Sequence, residues 1–129
     1  MKAERKNLKL VKNLKMPHFI VDCSENILKL KDPKVLLDEV FEAAFSSDLF
    51  SRAAIKVLLN PYKYSLVLGD NKDFIHVFGN IMEGRTAEQK SDLSRKIVSK
   101  LNQLFPEVPI ISMNIRDFEK SSYINKTML

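Results

Sequence analysis

An alternating, strand-like run, then a capped amphipathic helix, then another alternating run occurs twice along this chain. That repetition narrows the fold more than any other feature. In the first passage Pro17–Cys23 places Phe19, Val21 and Cys23 on one face and His18, Ile20 and Asp22 on the other, the period-two signal of a half-buried strand. Asp32-Pro33 offers an N-cap and a proline for the first helical turn. Leu37, Val40, Phe41, Ala44 and Phe45 then fall at helical spacing and predict an amphipathic helix of about four turns. Ser46-Ser47-Asp48 weakens that helix, and a strand is predicted over Ala53–Leu59, before Asn60-Pro61.

The second passage opens on a hairpin. Tyr62–Leu68 and Phe74–Met82 read as strands joined by the turn-forming cluster Gly69-Asp70-Asn71. Thr86 with Gln89 three residues on forms a capping box. Leu93, Ile97, Leu101, Leu104 and Phe105 make one apolar stripe, which Pro106 and Pro109 end. Pro109–Asp117 is the final strand, with Ile111, Met113 and Ile115 on one face, and Ser121–Leu129 is an irregular cap or an arm towards a neighbour.

These elements predict an α+β domain: two βαβ halves, starting near Pro17 and Phe74, in one mixed sheet. Right-handed crossovers put both helices on the same face of that sheet. The bare face carries apolar residues such as Phe78 and Met82, so a symmetric oligomer is expected to cover it.

Charge decides which partners to expect. The chain has 129 residues and a formal charge of +5, with 21 basic and 16 acidic side chains. Residues 1–15 hold Lys2, Arg5, Lys6, Lys9, Lys12 and Lys15 against Glu4 alone, which accounts for the whole excess. The remainder is neutral, so a basic patch for nucleic acid is not expected on the domain. No apolar run approaches the ~18–20 residues of a membrane span, and no secretory signal is visible. The single cysteine, Cys23, has no partner for a disulfide or a metal cluster, which fits a reducing cytoplasm.

Residues 1–15 read as separate from the domain at 16–129. Leu8, Val11 and Leu14 recur at three-residue spacing, enough for a short amphipathic helix that meets a membrane surface or a partner. Three apolar residues bury little, and so short a helix is marginal alone. The preferred reading is a basic extension: a tag, a disordered tail, or upstream sequence read through before a start at Met16.

The residues expected to carry chemistry are few. The chain has no Gly-rich phosphate loop, no His–carboxylate metal spacing and no G-x-S-x-G elbow. His18 and His76 both sit in strands, where a packed or hydrogen-bonded histidine is the ordinary case. Cys23 reads as a small buried hydrophobe. Pro17, by position alone, is a strand starter without an N–H to give the ladder.

Resemblance changes the weight of that proline. Met16-Pro-His-Phe-Ile-Val-Asp-Cys-Ser24 closely resembles the start of the 5-carboxymethyl-2-hydroxymuconate isomerases, in the tautomerase superfamily that includes macrophage migration inhibitory factor. Ile55-Lys-Val, Asp73-Phe-Ile-His-Val-Phe78, Glu83-Gly-Arg-Thr-Ala-Glu-Gln-Lys90 and Phe105-Pro-Glu-Val-Pro-Ile-Ile-Ser-Met-Asn-Ile-Arg-Asp117 extend the likeness, in order, over nearly all of 16–129. The Met-Pro start and the Gly-Arg-Thr segment are the diagnostic parts.

The resemblance implies a tautomerase fold, a homotrimer with sites between subunits, and isomerisation without a cofactor or metal. The implied substrate is an unsaturated 2-hydroxy dicarboxylate or tricarboxylate, converted to its 2-oxo isomer in 4-hydroxyphenylacetate and homoprotocatechuate breakdown. It further implies that methionine is removed and that the freed secondary amine of Pro17 moves the proton. Such an amine titrates near 8, and burial or nearby cations lower it towards working pH. With residue 16 attached the nitrogen is an amide and is inert.

Arg85 resembles the family arginine that holds a substrate carboxylate, a task suited to its planar fork. Lys56 aligns with a basic position on the second strand, and His76 is a further pocket residue. Leu58 stands where many relatives carry another arginine, which bears on substrate and rate. Two alternatives remain: a promiscuous tautomerase of other 2-oxo acids such as phenylpyruvate, and a non-catalytic oligomeric module with a partner-binding tail.

Overall fold

A computed structural model describes residues 16–129; the proposed extension, residues 1–15, lies outside the described residues. Four strands form one sheet: β1 (His18–Ser24), β2 (Lys56–Tyr62), β3 (Phe74–Met82) and β4 (Ile110–Phe118). The order is β2-β1-β3-β4. The inner pair β1/β3 is antiparallel, and each outer strand runs parallel to its inner neighbour. Each half is thus one βαβ unit, and the halves meet along β1/β3. The architecture is α+β.

The helices are α1 (Ile27–Leu30), α2 (Pro33–Phe45) and α3 (Ala87–Leu104). Local chemistry starts the two long ones where the sequence predicts. The Asp32 carboxylate accepts the Lys34 N–H at 2.7 Å with Pro33 in the first turn. At α3, the Gln89 N–H donates to Thr86 Oγ1 at 3.1 Å while the Thr86 N–H donates to Gln89 Oε1 at 2.9 Å. After α2, the Ser46 and Ser47 hydroxyls donate to the carbonyls of Ala43 and Ala44, and Asp48 turns the chain away at φ 61°.

Both helices cover the same face of the sheet. Phe19, Val21 and Cys23 of β1 and Ile75, Val77 and Ile81 of β3 are fully buried against Leu36, Val40 and Ala44 of α2 and Leu93, Ile97 and Leu101 of α3. In α2 Leu36 is buried together with the predicted Val40 and Ala44, whereas the predicted Leu37, Phe41 and Phe45 are partly buried at the flank of the stripe.

Gly79 faces this core where space is smallest. A Cβ there meets Met113 Cε at 2.8 Å, Ile115 Cγ1 at 3.3 Å and Phe19 Cε1 at 3.4 Å. Only the methionine end swings aside easily. Gly79→Val is therefore expected to destabilise the fold by about 1–3 kcal/mol in urea denaturation, and Gly79→Ala by less.

Three predictions require correction. The predicted strand at Ala53–Leu59 begins instead with a 3₁₀ turn at Arg52–Ala54, and β2 runs on through Asn60-Pro61 to Tyr62. Proline is tolerated because β2 is an edge strand, whose outward side needs no N–H. The predicted strand Tyr62–Leu68 pairs with no strand: beyond Tyr62 the segment meets only an isolated bridge of Val67 with Asp70 and Asn71. Finally, Met82 points to the face without helices but is only 3 % exposed. The segment after β4 folds back at this end, with the Tyr123 ring 5.4 Å from that of Phe118 and the Lys120 N–H on Glu83.

Candidate active site

Pro17 is fully buried at the head of β1, and its carbonyl accepts the Lys56 N–H at 3.1 Å. That bond opens the parallel β1/β2 ladder and fixes Lys56 directly beside His18. Because β1 and β3 are antiparallel, the end of β3 lies next to the start of β1, with Asn80 opposite His18. The chain leaves β3 at Met82, turns at Gly84 with φ 115°, and places Arg85 just before the cap of α3. Pro17, Lys56 and Arg85 thus share one end of the sheet.

A cation ahead of a helix N-terminus is opposed by the helix dipole, yet Arg85 is not left in solvent. Its Nη2 donates to the Leu49 carbonyl at 2.8 Å, and its guanidinium lies 5.4 Å from the centre of the Phe50 ring. Phe50 packs edge-on to Phe19, with centroids 5.9 Å apart. The loop after α2 therefore grips one side of the guanidinium and leaves other N–H donors of the fork for a ligand. Sequence reasoning marks Arg85 but misses Leu49 and Phe50, because their contact is made across a separation of 36 residues.

On the face without helices, one row crosses all four strands at this end: Lys56, His18, Asn80 and Arg116. His18 meets the Phe118 ring edge-on at 5.4 Å. Burial, and then the Lys56 ammonium, lower its pKa from the ordinary 6.5. It is a neutral hydrogen-bonding group beside the lysine at neutral pH. A histidine depressed in this way binds fewer protons folded than unfolded. Its contribution to stability is present above 6.5 and is lost as pH falls through its lower folded value. Urea midpoints measured from pH 7 down to pH 5 are expected to drop, with a shallower drop in His18→Gln.

His76 lies elsewhere. It pairs with Asp22, five residues along from Pro17, or roughly 17 Å at a strand's rise per residue. Its Nδ1 is 2.6 Å from Ser112 Oγ, its Nε2 is 2.7 Å from Asn114 Oδ1, and Phe78 stacks edge-on at 4.4 Å. Within one chain His76 is not brought to Pro17. Leu58 is half exposed on the same face.

Cys23 offers no nucleophile: burial, then Asp22 and Asp73, push its thiol up to about 11. Among the described residues no group of three His, Cys, Asp or Glu side chains could hold a metal ion, and no helix is long and apolar enough to cross a membrane. A cleft of about 510 Å³ between α2 and α3 is lined by charged residues including Glu39, Asp92 and Arg95. It lies on the outer helical face and does not include Pro17, Lys56 or Arg85.

The fold thus brings two cations, Arg85 and Lys56, to the end of the sheet where β1 starts. Residues 17–128 match the family model described as 5-carboxymethyl-2-hydroxymuconate isomerase. A 5-carboxymethyl-2-hydroxymuconate isomerase from Deinococcus radiodurans R1 superposes with a TM-score of 0.75 at 19% identity, over 88% of this chain and 90% of that one. Pt0534 inactivated by 2-oxo-3-pentynoate gives 0.72 at 22% identity, over 84% and 91%. A fused 4-OT wild-type symmetric trimer gives 0.72 at 18%, also over 84% and 91%. At such identities these likenesses establish the fold. No curated protein matches the chain in sequence.

Proposed function

This chain belongs to the 5-carboxymethyl-2-hydroxymuconate isomerase family, and from that premise we propose that Pro17, once it heads the chain, is the base of its reaction. The enzyme is an isomerase of the tautomerase type. The proposed substrate is 5-carboxymethyl-2-hydroxymuconate or a similar unsaturated 2-hydroxy polycarboxylate, met in aromatic catabolism in a reducing cytoplasm. The observation that carries this reading is the placement of Pro17, buried at the start of β1, at the end of the sheet that also holds Arg85.

The chemistry needs only a proton and an electron pair to move. The Pro17 amine takes the proton of the 2-hydroxyl group, the oxygen lone pair becomes the 2-oxo group, and the conjugated double bonds shift along the chain. The carbon at their far end collects the electron pair and receives the proton from the Pro17 ammonium. Atoms balance without cofactor or metal. Arg85 holds a substrate carboxylate through its free N–H groups, and Lys56 offsets the negative charge that spreads over the dienolate. The same cations, with burial, lower the amine's pKa from near 8 and keep it unprotonated at neutral pH.

The row with Lys56 and His18 faces away from the helices and is uncovered in one chain. A homotrimer with shared sites closes such a site, and it supplies the route by which His76 of another copy joins a pocket. A promiscuous 2-oxo acid tautomerase is the second reading, favoured by Leu58, which leaves β2 without an arginine beside Lys56. The relative rates on an aromatic monoacid and on the muconate separate the two.

The direct test is covalent. Protein from its native host is sequenced at the N-terminus, and a chain beginning at Pro17 is treated with 2-oxo-3-pentynoate. A native start at Pro17, with one adduct mapping to its nitrogen, is the expected result. A retained residue 16, or an adduct elsewhere that abolishes activity, removes Pro17 from the mechanism.

A further inference from the structure

The row of Lys56, His18, Asn80 and Arg116 holds two cations and no carboxylate. Lys56 lies on one edge strand and Arg116 on the other, and both residues are exposed. Among the described residues neither forms an ion pair. Two carboxylates close to them in the strands are committed elsewhere. Asp117, next to Arg116, points to the helical face and accepts from Lys90 Nζ at 2.7 Å. Asp22, farther along β1, accepts from Asn60 Nδ2 at 3.3 Å and from the Tyr62 hydroxyl at 3.1 Å. Beside the row stand the apolar side chains of Leu58, Ile20 and Phe78, on the face that an oligomer is expected to cover. A cation covered without an anion is strongly disfavoured, so the row calls for an anion from outside the chain.

We infer that Arg116 is a specificity-determining residue of this site, holding a second, far carboxylate of the substrate while Arg85 holds the first. The inference rests on the reaction proposed above and names what selects a polycarboxylate for it. Pro17 directly precedes His18, and His18 lies two strands from Arg116. The base and the arginine are therefore separated by roughly 10 Å at the spacing of neighbouring strands. That span fits a substrate whose far carboxylate lies several bonds beyond the reacting carbons. A substrate with one carboxylate has no group to reach it. β2 offers only Lys56 for the purpose, since Leu58 beside it is apolar. The planar fork of Arg116 can donate to both oxygens of a carboxylate, which an ammonium matches poorly. The groups between the two cations suit the same ligand. Asn80 carries amide donors, and the His18 ring meets that of Phe118 edge-on at 5.4 Å. Their strands lie two spacings apart, so the rings lean together over β3 and offer the carbon chain an apolar wall.

The test uses the protein in the form that begins at Pro17, with Arg116→Gln and Arg116→Lys, on the muconate and on phenylpyruvate. Arg116 is exposed and makes no ion pair among the described residues, so both variants are expected to keep the wild-type thermal transition and sedimentation coefficient. Arg116→Gln is expected to raise KM for the muconate roughly 10-fold, the lower end of the effect of a hydrogen bond to a charged group. The change in kcat should be much smaller, because the contact is remote from the reacting carbons. kcat/KM for phenylpyruvate should fall far less, and Arg116→Lys should recover part of the loss on the muconate. Equal losses on the two substrates, or an unchanged KM for the muconate, overturn the assignment. A variant that sediments as a smaller species overturns it too, because Arg116 then pairs with an acidic group of another copy. Binding separates these outcomes from failure of the reaction itself. Calorimetry compares trans,trans-muconate with sorbate, the same diene bearing a methyl group in place of one carboxylate, and needs no turnover. A wild type that converts neither substrate yet prefers the dicarboxylate, with the preference lost in Arg116→Gln, sinks the reaction and keeps the far-carboxylate contact. No preference in the wild type overturns the contact, whatever the rates.

Discussion

A chain that begins at Pro17 is expected to isomerise its substrate roughly 10²–10⁴-fold faster than the same chain beginning at Met1, the range contributed by a positioned general base. The difference lies in one atom. With residue 16 attached, the Pro17 nitrogen is an amide whose lone pair is delocalised into the carbonyl, and it accepts no proton near neutral pH. Freed, it is a secondary amine with a pKa near 8 before the protein acts on it. Burial of Pro17 and the cations at this end both favour the neutral form. The rate of the trimmed chain should therefore rise with pH through a value below 8 and then level. The two forms are compared by initial rates on the muconate, with thermal melts to show that trimming leaves the fold intact. Equal rates in well-folded samples would remove Pro17 from the chemistry, and no rate from either form would leave an oligomeric module as the surviving account of the chain. Pro17→Ala in the trimmed chain tests the same point without the extension, since a primary amine on a less constrained residue should recover only part of the rate.

How far the sequence foretells this structure depends on how local each cause is. Thr86 and Gln89 cap α3 by reaching three residues, and Leu93, Ile97 and Leu101 bury one stripe at the helix's own period, so that helix is fully legible. β1 and β3 are legible because their alternation matches a sheet with one covered face. The same alternation misleads at Tyr62–Leu68, where the residues are strand-like but beyond Tyr62 they pair with no strand of the sheet. Pro61 misleads in the opposite sense, because whether a proline ends a strand or rides on its edge depends on which strand lies outside it. In the candidate site, Pro17, Arg85 and Lys56 are marked by resemblance, and the fold places all three at one end of the sheet. The row of His18, Asn80 and Arg116 is not readable beforehand, since it exists only through the register of three strand pairings. His76 shows the converse: a residue within a matching segment, held instead by Ser112 and Asn114 some way along the sheet.

Arg85→Ala is expected to lower kcat/KM for the muconate by roughly 10- to 150-fold, the equivalent of about 1.5–3 kcal/mol for hydrogen bonds to a charged group. The prediction follows from how the guanidinium is held. Nη2 is committed to the Leu49 carbonyl, and the plane rests against Phe50, so the fork is oriented before any ligand arrives and little entropy is lost when it binds a carboxylate. A lysine in its place has one ammonium to divide between Leu49 and the substrate. Arg85→Lys should therefore keep the charge but recover only a small part of the lost kcat/KM. Stability separates this role from a merely structural one. The contact with Phe50 is worth about 0.5–1 kcal/mol at an exposed site, so Arg85→Ala should shift the urea midpoint slightly while the kinetic loss is far larger. If both variants lose stability but keep kcat/KM, the arginine only pins the loop after α2 to the sheet. The carboxylate would then have to be held by Lys56 or Arg116, which share the helix-free face at the same end.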